Sequence, residues 1–319
     1  MTQAIALIDL TPWFEGTDAG RVAVVDAVRG ACETSGFFVI AGHGVDPDVI
    51  ARMYAASRAF FDLPQEERAA VPPVGEVPGG LMHFGYGSEN LAATLGAVTP
   101  PDRKETLDYG PLYRGAPWPA RPAGLQDAWI GYYGALDQLC ATLRCILARA
   151  ARLPDNYFEP YFEHALSSLR AIDYPEPDGP ALPGQLRAGA HTDYGFLTVL
   201  LSEDKPGGLE VMDLHGNWIA PKTPMGTFVV NLGDSLMRWT DDLWRSTPHR
   251  VVNPPVDAAG GTRRQSIPFF HNPGRDALID TLPTFWKAGV AAKYPPITYG
   301  DYSLDRQSKS HGDHINKVV

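Results

Sequence analysis

The sequence predicts an α+β protein: an N-terminal part of mixed helices and short strands, one long supporting helix, and a β-rich C-terminal half. Three observations carry this prediction. Leu125, Trp129, Tyr133, Leu136, Cys140, Leu143, Leu147 and Ala150 recur at helical spacing and mark one amphipathic helix that stops near Leu153-Pro154. Beyond Ser167 the pattern becomes a series of short β-rich runs separated by turns, whose regular spacing argues for a sandwich or a barrel. With 319 residues of which 44% are hydrophobic, the chain can bury a sizeable core without metal or disulfide staples.

In chain order, GFFVIAGHGV (36–45) is a short apolar run bracketed by glycines and reads as a strand. Asp46-Pro47 then supplies a helix N-cap followed by proline at the first helical position, and Ile50, Met53, Tyr54, Phe60 and Phe61 continue that helix up to Pro64. From Pro72 to Pro122 the density of proline and glycine predicts mostly irregular connection, and a loop region this long inside a compact chain tends to be functional. The long helix follows. The β-rich runs are SLRAIDYP, GFLTVLLSE, GLEVMDL, NWIAPK, TFVVNLGDSLMRW, HRVVNPP and RQSIPFFHNP, with a hairpin turn at DLHGNW. The polar tail DRQSKSHGDHINKVV reads as a frayed helix end, with His311 and His314 in solvent. A boundary near residue 122 divides an N-terminal part (1–122) from the long helix and β-rich half (123–319).

Composition excludes several functions. Twenty-seven Lys and Arg stand against 37 Asp and Glu, a formal charge of −10, with no basic cluster beyond Arg263-Arg264. Nucleic acid and anionic membrane surfaces are therefore not expected as partners. Cys32, Cys140 and Cys145 form no C-x-x-C pair, which fits a reducing compartment. MTQAIALIDLTPWFEG lacks a basic start and a long apolar core, and no apolar run reaches the length of a membrane span, so a cytoplasmic location is expected. The expected species is a monomer or weak homo-oligomer. No G-x-S-x-G elbow, H-E-x-x-H pair, phosphate loop or dinucleotide fingerprint occurs, which removes the usual hydrolase and kinase readings.

The chemistry-bearing residues lie in the β-rich half. On a strand His191 and Asp193 would point the same way with α-carbons about 6.6 Å apart, a workable bite for one metal ion. His249, at the start of HRVV, adds a second imidazole. Two histidines and one carboxylate form the facial triad that holds Fe(II) and leaves positions open, whereas zinc favours a closed tetrahedral set or a single open site. Arg264 and Ser266, two apart on one strand face, set an arginine fork beside a hydroxyl, which suits a bidentately held carboxylate.

On these residues the chain resembles the isopenicillin N synthase-like branch of the Fe(II)/2-oxoglutarate-dependent oxygenases. That family's pattern of H-x-D, a distant H, and R-x-S is met by His191, Asp193, His249, Arg264 and Ser266. GAHTDYGFLTVLL, GGLEV, GNWI, VVNLGD, RWTDD and STPHRVV resemble the family in the correct order, and IDL, GFFVIAGHGV and FFDLPQEER resemble its N-terminal partner domain. The resemblance implies a double-stranded β-helix, or jelly roll, with iron at one open end, bound by His191, Asp193 and His249. Arg264 and Ser266 would hold the distal carboxylate of 2-oxoglutarate, and Tyr174 would contact the same cosubstrate. Many plant members carry Asn two residues before that tyrosine; here Ile172 stands instead, which places more weight on Arg264 and Ser266.

The implied activity is oxidation, most commonly hydroxylation, of a small-molecule metabolite, with 2-oxoglutarate and O₂ converted to succinate and CO₂. The metal and O₂ carry the hard chemistry while the protein supplies orientation and a dry cavity. Candidate substrate contacts are His83, Tyr86 and Asn90 in the loop-rich region, Phe196 and Phe270 beside the site, and Arg238 as an anchor for an acid. Two alternatives compete: a 2-oxoglutarate-independent Fe(II) oxidase or cyclase of the same fold, and a non-catalytic binding or sensing protein.

Overall fold

In the computed structural model, which describes residues 5–69, 85–86, 91–110, 118–177, 179–203, 205–255, 258 and 261–311, the chain opens with strand β1 (Ala6–Asp9) and helices α1 (Thr11–Phe14) and α2 (Asp18–Thr34). Strand β2 (Phe37–Ala41), helices α3 (Pro47–Phe61) and α4 (Gln65–Ala69), and strands β3 (Gly85–Tyr86) and β4 (Glu105–Tyr109) precede the long helix α5 (Leu125–Ala150). After α6 (Glu159–Phe162) come strands β5 (Ser168–Tyr174), β6 (Ala188–His191), β7 (Leu197–Ser202), β8 (Leu209–Met212), β9 (Trp218–Ile219) and β10 (Phe228–Leu232). Helix α7 (Asp234–Trp239), strands β11 (His249–Val251), β12 (Arg264–His271), β13 (Leu278–Ile279) and β14 (Ile297–Thr298), and helix α8 (Tyr299–His311) complete it.

The local signals account for most of these bounds. Asp46 accepts the Asp48 N–H at 2.8 Å ahead of Pro47, so α3 starts where its cap predicts, and it stops at Phe61, short of Pro64. The run TFVVNLGDSLMRW does not stay extended: Gly233 ends β10 and α7 begins at Asp234. Strand β4 arises inside the segment expected to be irregular. Its residues Glu105, Thr106 and Asp108 are polar yet buried, so no apolar alternation announced it.

Two main sheets organise the strands. The larger runs β1-β2-β10-β7-β12-β5-β4-β3 and is antiparallel apart from the β1–β2 pair; the smaller runs β6-β11-β8-β9. Strands from before residue 122 thus flank a centre built from β5, β7, β10 and β12. Along β12 the faces alternate: Ile267 and Phe269 are fully buried in the core that holds Trp129, Leu136, Cys140 and Leu143 of α5, whereas Arg264, Ser266, Pro268 and Phe270 face a cavity. Each such fully buried apolar side chain contributes roughly 1.5–3 kcal/mol. The core with α5 therefore forms the rigid backing of the cavity wall. Among the described residues no helix is long and apolar enough to cross a membrane.

Candidate active site

His191 ends β6, in the smaller sheet, and Asp193 lies beyond it in the corner (192–196) that carries the chain to β7 in the larger sheet. The period-two alternation expected to align them does not operate; the corner does. It is shaped by close backbone approach: a Cβ on Gly233 would sit 2.2 Å from Gly195 O, and one on Gly195 1.9 Å from Asn272 Oδ1. The first turn of α7 clamps it, with Asp234 N–H donating to Asp193 O at 2.7 Å and Ser235 N–H to Gly195 O at 3.1 Å. The chain bends at Gly195.

His249 opens β11 directly opposite His191 in the antiparallel register. The Nε2 atoms of His191 and His249 lie 3.9 and 3.8 Å from Asp193 Oδ1, and one donor atom from each of the three residues falls within 4.8 Å of the others. Asp193 Oδ2 is turned away and accepts from Thr198 Oγ1 at 2.5 Å and Asn231 Nδ2 at 2.7 Å, so one carboxylate oxygen is left for the centre. Both histidines are oriented through Nδ1, which meets Gly189 O at 2.7 Å in His191 and Thr247 O at 3.2 Å in His249. A carbonyl only accepts, so the proton sits on Nδ1 and the Nε2 lone pair points inward.

Electrostatics favour a cation. Burial, then the neighbouring His249, pushes His191 down to about 3, so it is a neutral ligand at physiological pH. Burial alone would raise Asp193, but the two imidazoles and the hydrogen bonds from Asn231 and Thr198 carry it below the ordinary carboxylate value. Neutral imidazole and ionised carboxylate are the states in which these groups bind metal. Two nitrogens and one oxygen on one side of an open cavity suit a divalent ion that keeps positions for other ligands.

The cavity, about 240 Å³, reaches from this cluster to the wall formed by β5 and β12. Arg264 and Ser266 are 3% and 4% exposed and share it, and Tyr174 stands opposite Arg264 in the β5–β12 register. Arg264 Nη2 donates to Glu203 O at 2.8 Å and to Ser202 Oγ. Arg187, 2% exposed, donates to the carbonyls of Pro206, Gly207, Pro175 and Thr262 and also lies near the Tyr174 ring, 5.8 Å from its centroid against 5.7 Å for Arg264. Burial and the charge of Arg264 lower Arg187 to about 10. Of these two guanidiniums Arg264 is the one on the cavity wall, where an incoming carboxylate can pair with it. Ile172 also faces the cavity and offers it no polar atom.

The remaining candidates are dispersed. Phe270 lines the cavity, with the Arg170 guanidinium 5.9 Å from its ring. Phe196 does not: it is fully buried against Phe158, Phe162 and Trp239, because it precedes β7 at the corner rather than continuing the cavity-facing row of Thr198, Leu200 and Ser202. Arg238 is also corrected. It lies 4.4 Å from the Tyr294 ring and 5.2 Å from that of Tyr302 and donates to Pro295 O, away from the cavity lining. His83 and Asn90 lie outside the described residues, and Tyr86 is placed only by its backbone, in β3 opposite Glu105.

Residues not singled out beforehand also meet here. Asn231 and Thr198 were detectable as polar residues inside the apolar runs VVNL and FLTVLL. Arg170 sits four residues before Tyr174, on the same strand face, and pairs with Asp108 at 2.7 Å. Tyr299 and Ser303 reach the cavity from α8, a contact no local pattern announces.

Comparison with known proteins gives a consistent result. Residues 5–128 match the family described as non-haem dioxygenase in morphine synthesis N-terminal, and residues 162–273 match the 2OG-Fe(II) oxygenase superfamily. The chain is 33% identical to the 2-oxoglutarate-Fe(II) type oxidoreductase hxnY of Emericella nidulans, over 96% of this chain and 90% of that protein. It is 31% identical to validamycin A dioxygenase of Streptomyces hygroscopicus subsp. limoneus, over 96% and 86% respectively. A full-length Neurospora crassa protein, whose crystal structure is in complex with alpha-KG and thymine, superposes with a TM-score of 0.83 at 29% identity, covering 95% of this chain and 96% of that one.

Proposed function

The chain belongs to the 2OG-Fe(II) oxygenase superfamily, and from that membership we propose how its own residues divide the work. The protein is a 2-oxoglutarate-dependent non-haem iron dioxygenase acting on a small molecule, with Fe(II), 2-oxoglutarate and O₂ as its reactants and cofactor. His191 Nε2, Asp193 Oδ1 and His249 Nε2 hold the iron. Arg264 and Ser266 hold the distal carboxylate of 2-oxoglutarate, and Tyr174 packs beside it. The observation that carries this reading is the convergence of those three donor atoms while the second oxygen of Asp193 is already occupied by Thr198 and Asn231.

When bound, the metal supplies oxidative decarboxylation of 2-oxoglutarate by O₂ and oxidation of the substrate. The chain supplies charge balance and position. Two neutral imidazoles and one carboxylate leave one net positive charge with Fe(II), which attracts the dianionic cosubstrate. Arg264 fixes its far end, and the apolar faces of Leu200, Ile172 and Phe270 keep water from the remaining volume. A cavity of about 240 Å³ lies below the roughly 300–1,000 Å³ of drug-sized ligand sites, which limits the metabolite bound beside 2-oxoglutarate to a small one. Hydroxylation of such a metabolite, next to Phe270, is the reaction we assign.

The two sheets are read as a double-stranded β-helix. The residues up to 122 are read as a partner domain, whose strands β1–β4 extend both edges of the larger sheet. The test is Asp193→Ala. Loss of stoichiometric Fe(II) binding and of substrate-dependent succinate, with an unchanged circular dichroism spectrum, is expected. Retained activity refutes the ligand assignment, and turnover in air without 2-oxoglutarate refutes the cosubstrate role of Arg264 and Ser266.

A further inference from the structure

We propose that Asp102 is a positioning residue for the metal centre: its carboxylate holds the outer edge of β6 and, through Gly189, sets the direction in which His191 presents Nε2. The proposal rests on His191 being a ligand. Among the described residues strand β6 is an edge of its sheet and pairs only with β11. Its other edge therefore needs backbone partners from elsewhere.

The segment before β4 supplies them. Gly189 N–H donates to Asp102 Oδ1 at 2.8 Å, and Arg103 N–H donates to Leu186 O at 3.0 Å. On the far side of the same residue, Gly189 O receives the Nδ1–H of His191 at 2.7 Å. The peptide units flanking Gly189 thus link a carboxylate on one side to the imidazole on the other. A shift of Gly189 would turn the ring.

Gly189 itself is held closely. A Cβ there would lie 2.7 Å from Ala92 N and 2.8 Å from Ala92 Cβ, so the 3-10 turn Leu91–Leu95 packs directly on β6. Asp102 Oδ2 ties that turn down as well, receiving Leu91 N–H at 3.4 Å, and it faces Lys104 Nζ at 3.4 Å. The side chains of Asp102 and Lys104 are 2% and 1% exposed. A buried ion pair is weak evidence for stability, because desolvation offsets the attraction. Its carboxylate is instead the common acceptor for two separate backbone segments around the His191 strand. Groups that orient a ligand in this way alter metal affinity by about 10- to 100-fold when removed.

The test uses the full chain in metal-free form with Co(II) as the probe, read by its visible ligand-field bands. Asp102→Ala is expected to weaken Co(II) about tenfold or more. Asp102→Asn, which keeps an oxygen for Gly189 N–H, is expected to recover most of that loss. Hydrogen exchange in the absence of metal supplies an independent readout: the Gly189 amide should exchange faster in Asp102→Ala while the β12 amides keep their protection. Wild-type Co(II) affinity in Asp102→Ala, an unchanged Gly189 exchange rate, or loss of protection spread evenly over both sheets overturns the proposal. If Asp102→Ala does not fold, Asp102→Asn decides, since a neutral acceptor is weaker than a charged one and Gly189 must exchange faster than in wild type; an equal rate overturns it. His191→Ala is the separating control. Wild-type Co(II) affinity there sinks the ligand reading, whereas the Gly189 exchange rates still judge Asp102.

Discussion

Replacing Arg264 by glutamine tests the cosubstrate site most directly. The residue is 3% exposed on the cavity wall it shares with Ser266, and its guanidinium lies 5.7 Å from the centroid of the Tyr174 ring. Glutamine keeps a hydrogen-bonding end but loses the charge and the fork. A buried carboxylate deprived of a charged partner loses about 2–5 kcal/mol. Taking about 3 kcal/mol, at 1.36 kcal/mol per tenfold, the affinity for 2-oxoglutarate falls on the order of a hundredfold. At a concentration a hundred times the wild-type Kd, the ligand stabilises wild type by about 2.7 kcal/mol. The same concentration is only near the Kd of the variant and stabilises it by about 0.4 kcal/mol.

The assay is the ligand-induced rise in Tm with Mn(II) held saturating. Arg264→Gln also gives up the donations to Ser202 Oγ and Glu203 O, so its Tm without ligand falls, and only the increment produced by 2-oxoglutarate is compared. An increment equal to wild type, or a directly measured Kd within threefold of it, refutes the placement of the carboxylate at Arg264.

Three further outcomes are expected. Asn231→Ala removes one of two donors to Asp193 Oδ2 and should weaken Fe(II) by about 10- to 100-fold with the fold retained; unchanged affinity in a metal titration refutes its orienting role. His271 is fully buried between Arg144 and Ser167, and burial, then the Arg144 charge, holds it well below its ordinary value of about 6.5, so from that unfolded-chain value down to the depressed native-state one the unfolded chain binds the proton and the native state does not. Stability is complete above about pH 6.5 and falls below it by up to about 1.4 kcal/mol per unit; urea denaturation of metal-free protein at pH 7.5, 6.5 and 5.5 should show a shallower fall in His271→Gln, and equal slopes refute the assignment. Gly233→Ala would bring a Cβ within 2.2 Å of Gly195 O, backbone that cannot swing aside, and should cost at least about 2 kcal/mol in chemical denaturation; a neutral effect refutes the corner as a rigid support.

Much of the architecture was legible because its signals are local. The α5 stripe, the Asp46-Pro47 start of α3 and the strand runs of the C-terminal half all follow from periodicity and capping, and the structure forms them nearly where they were expected. Strand β4 was not legible, since Glu105, Thr106 and Asp108 are buried with polar side chains and carry no apolar alternation. Phe196 and Arg238 were misplaced for a related reason. An aromatic or cationic residue near a motif has no local signal for which layer it joins, and these joined the core and a stack of tyrosines.

By itself the sequence determined the kinds of donor available, His191, Asp193, His249, Arg264 and Ser266, because imidazole, carboxylate, guanidinium and hydroxyl are properties of residue type. It also fixed that Arg264 and Ser266 share a face, since both lie on one strand. Only the tertiary structure decided that His191 and Asp193 meet across a corner between two sheets, that Asp193 offers a single oxygen, and that Asp102 reaches β6 from a segment far away in the chain. Those facts depend on contacts between residues that are not neighbours in sequence, through side chains such as Asn231 and Asp102 and close approaches at Gly195, Gly233 and Gly189, and contacts of that kind leave no periodic trace along the chain.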